Sequence, residues 1–227
     1  RGIHIEMSSS SDYAKIPHLL QEALATCHSL EVLAPPISSA PFPSRRDRDD
    51  DRHRHRSVVR GTPLDRNFLR ASGWQLQHAS TSTNSLIFAY SPKLDSAINQ
   101  RADTSYFRGN KNIILQHFDT GMGQYRAAIL LRRSNGEIVY IVRGEPERIL
   151  PLCKSETIMN KALDDISYAK SSGQSCIMYA YKVCTEKTTN VVQAMTWKQH
   201  ESAHDLSFIG LCFCSHLCER KSAETVN

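Results

Sequence analysis

The sequence predicts an α/β domain of the α+β kind, with an antiparallel β-sheet flanked by helices, and three observations carry that expectation. Residues 126–133 and 138–144 are two apolar runs separated by Ser134-Asn135-Gly136-Glu137, and Asn-Gly supplies the positive φ values that a tight hairpin turn requires. Residues 16–30 place Leu19, Leu20, Ala23, Leu24 and Cys27 at helical spacing. Residues 176–183 and 206–214 are apolar runs of strand length, short enough to be buried on both faces of a sheet.

The remaining elements follow in order. Residues 1–15 are mostly polar, with a serine run at 8–11, and are expected to be a flexible N-terminal segment. The helix at 16–30 is followed by a stretch, 34–57, that holds Pro35, Pro36, Pro41 and Pro43 and then an Arg/Asp/His run; it reads as a low-complexity insertion that stays solvated. A short amphipathic helix is predicted over 64–72, opened by Thr62-Pro63, since proline suits a first helical turn, and ended at Gly73-Trp74. Residues 85–92 and 112–118 read as strands joined by a polar loop. After the hairpin, Pro146 opens a helix reaching Cys153, and a further helix is expected from Asn160 to Ser171, ended near Gly173. The main domain is expected to span 16–210, with 211–227 leaving it.

Composition narrows the function classes. The chain has 227 residues, of which 40% are hydrophobic and 22% charged, enough apolar material for a core. The net charge is +5, and the run from Arg45 to Arg56, with six Arg and four Asp, supplies part of it. The remainder is only mildly basic, which excludes the dense Lys/Arg stripe of a nucleic-acid binder. The longest apolar stretch, 208–213, is far below the roughly 18–20 residues needed to span a bilayer. Seven cysteines without a preceding signal peptide point to reduced thiols in a cytosolic setting.

No Walker A loop, HExxH or G-x-S-x-G is found. Several segments in a fixed order carry the information instead. Ala23-Leu24-Ala25-Thr26-Cys27-His28-Ser29-Leu30 comes first, then Gly61-Thr62-Pro63-Leu64-Asp65 with Ala71-Ser72-Gly73-Trp74. The strand near Phe118 leads into the hairpin. Arg143-Gly144-Glu145-Pro146-Glu147 follows, with Leu152-Cys153 and Glu156-Thr157, then 173–182, 201–210, Lys221 and Thr225. Together these resemble the nucleotide-binding domain of P-type ATPases, and within them the type V, subgroup B pumps. The fourth segment is similar to that family's Lys-Gly-Ala-Pro-Glu, and the second to its Gly-Asp-Pro-Leu-Asp.

The resemblance implies the P-type nucleotide-domain fold and the binding of ATP with Mg²⁺. It implies presentation of the γ-phosphate to an aspartate in a separate phosphorylation domain, with an actuator domain and transmembrane helices elsewhere in the parent protein. The Asp-Lys-Thr-Gly-Thr motif that carries this aspartate does not occur in the sequence, so nucleotide binding without hydrolysis or transport is what this stretch is expected to supply. Subgroup B is associated with polyamine or cation export from late endosomal and lysosomal membranes. Carried over position by position, the implied nucleotide site comprises Phe118, Thr120, Arg126, Arg143, Gly144 and Ser175. Thr120 stands where the family has an adenine-stacking Phe, with Phe118 two residues earlier on the same strand face. Arg143 replaces the phosphate-facing Lys and Ser175 an Arg, while Thr62 and Glu145 replace an Asp and an Ala. Glu147 is expected to be a structural member of its signature.

Two other readings are open at this level. One is a nucleotide-domain scaffold with impaired ATP binding and a structural or regulatory role. The other is a metal-binding module built on Cys212, Cys214, His216 and Cys218, whose near-collinear placement along one strand suits a tetrahedral site poorly.

Overall fold

The computed structural model describes residues 3–8, 18–33, 58–80, 85–91, 111–119, 126–154, 160–185 and 189–216. Ten strands and six helices are assigned within them. In chain order these are β1 (Ile3–Ser8), α1 (His18–Thr26), β2 (Glu31–Leu33), β3 (Val58–Arg60), α2 (Pro63–Ser72), β4 (Gln75–Ser80), β5 (Ser85–Tyr90) and β6 (Lys111–Asp119). Then come β7 (Arg126–Arg132), β8 (Ile138–Gly144), α3 (Pro146–Ile149) running into a 3₁₀ turn, α4 (Asn160–Ser171), β9 (Ser175–Val183), α5 (Thr189–Ala194), α6 (Trp197–Glu201) and β10 (Ser207–His216). Eight strands form one sheet in the order β1-β10-β9-β8-β7-β6-β5-β4, antiparallel at every pairing, and β2 pairs with β3 separately. The expected α/β class, an antiparallel sheet with helices against it, is the observed one.

The central strands explain the layering. Ile129, Leu131, Val139 and Ile141 point to one face, where they meet Leu20, Ala23 and Leu24 of α1 and Phe68 of α2. Ala128, Leu130, Tyr140 and Val142 point to the other, where they meet Ile149 of α3, Ala162, Ile166 and Ala169 of α4 and Val192 of α5. Strand side chains alternate between faces, so β7 and β8 can be apolar throughout only if both faces are covered.

Local sequence accounts for the helix ends. Thr62 is the N-cap of α2 and its hydroxyl accepts from the Asp65 backbone N–H at 3.1 Å; Gly73 closes the helix in the left-handed conformation at φ 70°. The predicted helix over 16–30 is shorter, His18–Thr26, and four of its five predicted core residues are fully buried, Leu19 being partly so. Two polar side chains of α1 are buried, Thr26, whose hydroxyl donates to the Glu22 carbonyl at 2.7 Å, and Glu22 itself. Glu22, 1% exposed, accepts from Asn112 Nδ2 at 2.6 Å and from Arg133 Nη2 at 2.5 Å, fastening the helix to the sheet and the hairpin turn.

Four expectations are corrected. Residues 3–8, within the segment expected to be flexible, form β1 along β10, in keeping with the period-two spacing of Ile3, Ile5 and Met7. Residues 211–216 do not leave the domain: β10 continues to His216 between β1 and β9. The strands β2, β3 and β4 and the helices α5 and α6 were not anticipated, because the three strands are short or polar and the helices last only five or six residues. The hairpin turn also differs. Gly136 alone of the Asn-Gly pair has a positive φ, 87°, and its N–H bonds the Arg133 carbonyl at 2.9 Å, so the loop is a turn closed by one left-handed glycine. The predicted insertion at 34–57 and the tail from residue 217 lie outside the described residues. Among the described residues no helix is long and apolar enough to cross a membrane.

Replacing the α2 cap tests this account: Thr62→Ala is expected to lower stability by about 1 kcal/mol, read as a shifted urea midpoint with an unchanged slope.

Candidate functional site

At one end of the sheet, where β6 ends, β7 begins, β8 ends and β9 begins, lies a cavity of about 990 Å³. That volume is at the upper end of the range for small-molecule sites. Phe118, Arg126, Arg143, Gly144 and Ser175 all line it, so five of the six residues singled out in the sequence converge there; Thr120 lies outside the described residues. The small residues Ala127, Ala128 and Gly144 at the strand ends also line it.

The sheet divides these residues between its two faces. Ala127 of β7 pairs with Arg143 of β8, and Arg143 with Tyr179 of β9, which puts Arg143 on the α1 face, as is Ser175 four residues along β9. Arg126 pairs with Gly144, and Phe118 with Ala128, on the opposite face.

Each arginine is held by a carboxylate of its own face. Arg143 Nη2 donates to Asp65 Oδ1, and the pair is almost wholly withdrawn from solvent. Asp65 Oδ2 accepts from the Ser29 hydroxyl at 2.6 Å, and the guanidinium lies over the Phe68 ring at 5.6 Å from its centroid. Burial would raise the Asp65 carboxyl, but Arg143 and the Ser29 hydrogen bonds outweigh it and hold the group below the ordinary carboxylate range. On the other face, Arg126 Nη2 lies 3.0 Å from Glu201 Oε2, and the Tyr140 hydroxyl donates to Glu201 Oε1 at 2.7 Å. Burial is the largest influence on Glu201 and raises its pKa despite both partners. A third pair, Lys170 with Glu147, is about half exposed at the cavity rim. Glu147, expected to be structural, links α3 to α4 in this way, a surface contact of small energetic weight.

Phe118 is 8% exposed and meets the Tyr140 and His200 rings edge-on at 5.8 and 5.6 Å, while His200 stacks on Tyr140 at 4.9 Å. The ring is therefore largely enclosed by other aromatics. Of the other replaced positions, Thr62 caps α2, while Glu145 is exposed at the start of α3 and makes no side-chain capping bond.

Several cavity residues were not assigned from sequence. His28, Ser29 and Leu30 come from the turn after α1, Leu64 and Ile177 add apolar wall, and His117, exposed on β6, also lines the cavity. His28 is fully buried; Nε2 lies 2.8 Å from the Ala25 carbonyl and Nδ1 accepts from the Leu30 N–H at 3.1 Å, which fixes a neutral tautomer. Burial drives its pKa down to about 3. Asp65 and His28 both stood in segments already quoted; Asp65 is a buried polar residue of α2, and His28 is buried in the turn after α1.

Cys212 and Cys214 pack in the core on the α1 face, and burial raises both thiols. Among the described residues no group of three or more His, Cys, Asp and Glu is arranged to hold a metal ion, and Cys218 lies outside them.

No family model matches the chain. It is similar to two probable cation-transporting ATPases 13A4: that of Gallus gallus, at 23% identity over 207 residues and 88% of this chain, and that of Homo sapiens, at 22% identity over 189 residues and 83% of this chain. The chain spans about 14% of the length of the first and 13% of the second. The similarity supports a relationship to the cation-transporting P-type ATPases across most of the chain.

Two outcomes follow from the buried groups. Asp65→Asn leaves Arg143 buried without its counter-charge and is expected to cost roughly 3–5 kcal/mol, whereas replacing both residues together, Asp65→Asn with Arg143→Gln, is expected to cost markedly less; urea unfolding of the three proteins checks this. For His28 the folded pKa lies below the unfolded value of 6.5, so the unfolded chain takes up a proton first and stability falls as pH drops from about 6.5 toward 3. Between pH 7.5 and 5.0 the loss from this group is about 2 kcal/mol, and His28→Gln is expected to flatten that part of the stability–pH curve.

Proposed function

We propose that this chain is the ATP-binding domain of a P-type cation- or polyamine-transporting ATPase of type V, subgroup B. The observation that carries the reading is the convergence of Phe118, Arg126, Arg143, Gly144 and Ser175, separated by up to 57 positions in sequence, on one cavity of nucleotide size. The relationship to probable cation-transporting ATPases supports the parent class.

In this reading ATP enters with Mg²⁺, its base held by the cavity wall and its phosphates drawn toward the arginines. Gly144 lets the ligand approach the backbone closely. The γ-phosphate is then offered to the phosphorylation domain of the parent protein, whose actuator domain and transmembrane helices complete the transport cycle in a late endosomal or lysosomal membrane. Because Arg143 and Arg126 already have carboxylate partners, phosphate must compete with Asp65 and Glu201, and binding is expected to be weak, of the order of 0.1–1 mM.

Calorimetric titration of ATP into the folded chain, with and without Mg²⁺, tests this. Saturable binding is expected, reduced roughly tenfold by the paired Arg143→Gln and Asp65→Asn change, which removes the cation without stranding a buried charge. No saturation at millimolar ATP in a sample with intact circular dichroism would sink the ATP-binding reading and leave a scaffold with a structural role.

A further inference from the structure

The two faces of the sheet do not offer a ligand the same things. Strand β6 carries a bulge between Ile114 and Gln116: Ile114 pairs with Leu131 and Gln116 with Leu130, so Leu115 is the extra residue. An uninterrupted strand would carry the face of Ile114 through to Gln116 and Phe118. The bulge exchanges the faces, leaving His117 opposite Ile129 and Phe118 opposite Ala128. His117 therefore shares the α1 face with Arg143, and Phe118 is on the reverse side.

The surroundings of the two rings differ accordingly. Phe118 is enclosed by Tyr140 and His200. His117 is exposed at the cavity, which Leu30 of the turn after α1 and Ile87 of the neighbouring strand β5 also line, and the His28 ring is 6.2 Å away, tilted by 35°. Partial burial lowers the pKa of the His117 imidazole, against the opposing effect of a backbone hydrogen bond with His28. A flat ring facing the cavity, on the same sheet face as a guanidinium, matches a planar base that carries an anionic tail.

Resting on the ATP reading above, we propose that the adenine ring lies on the α1 face, against the His117 imidazole on the side of Leu30 and Ile87, and not on Phe118. His117 is then the stacking residue of this chain, brought into position by the bulge at Leu115.

The test compares three probes, ATP, adenosine and inorganic tripolyphosphate, on the wild-type chain and on His117→Ala and His117→Phe. His117→Ala is expected to weaken ATP and adenosine by about tenfold with tripolyphosphate unchanged, and His117→Phe is expected to restore both. In the wild-type chain, adenosine is expected to shift the His117 ring protons and the Leu30 and Ile87 methyl resonances. Unchanged adenosine affinity in His117→Ala, or shifts confined to Phe118 and Met178, would overturn the assignment while leaving ATP binding intact. Absence of both ATP and adenosine binding by the folded wild-type chain would overturn the ATP reading and this assignment with it.

Discussion

The constraint on which the molecule depends is that its central hairpin is buried on both faces. Ile129, Leu130, Leu131, Val139, Tyr140, Ile141 and Val142 have almost no solvent exposure, and each faces helices or further strands. A charged side chain in the middle of β7 or β8 would have to surrender its hydration without a partner, at a cost comparable to the stability of a whole domain. Charge is therefore confined to the hairpin's ends. At the turn, Arg133 is held by Glu22 and Glu137; at the open end, Arg143 is held by Asp65 and Arg126 by Glu201. Three of these carboxylates come from helices, so the same pairs that neutralise the hairpin also dock α1, α2 and α6 against it.

This arrangement bears on the chemistry of the cavity. A buried ion pair contributes little net stability, because its attraction is largely spent on desolvation, but losing one partner is costly. Arg143 is thus a cation whose charge is committed inside the protein. An incoming anion gains from it only by sharing the guanidinium with Asp65 or by drawing it away, and either weakens the electrostatic return relative to an open lysine. The half-exposed Lys170 at the rim has a more loosely held partner in Glu147 and costs less to redirect. The cavity can supply much of its affinity through shape and apolar contact, with charge orienting the ligand.

What was legible in the sequence follows physical lines. The hairpin, α2 with its Thr62-Pro63 start and Gly73 stop, and α4 ending before Gly173 were readable because local chemistry determines them: a turn glycine, a cap and a helix-terminating glycine act within a few residues. Strand β4 was not, since Gln75, Gln77 and His78 are polar and its place beside β5 depends on pairing. The convergence of five site residues on one cavity was legible through the order of segments. Their partners were not: Asp65 and Arg143 are separated by 78 positions and Arg126 and Glu201 by 75, and an ion pair between distant segments leaves no local pattern.

The face on which each site residue lies was likewise beyond the sequence, and the reason is a single residue. Period-two reasoning assigns Phe118 and Thr120 to a common face and extends that face back along β6 to Ile114. It fails at Leu115, because a bulge has no obligatory sequence mark when the extra residue is an ordinary aliphatic. The packing supplies the reason for the bulge's position. Ile114 is buried with the α1 cluster, Leu115 packs against the opposite cluster, and Phe118 meets the stacked Tyr140 and His200 rings edge-on there. Without the extra residue, Phe118 would be turned out of that aromatic group and His117 turned in, replacing a ring that gains from burial by one that loses hydration. The register that buries the better hydrophobe is the one that leaves an imidazole facing the cavity, so the same packing preference that completes the core on one side fixes the cavity wall on the other.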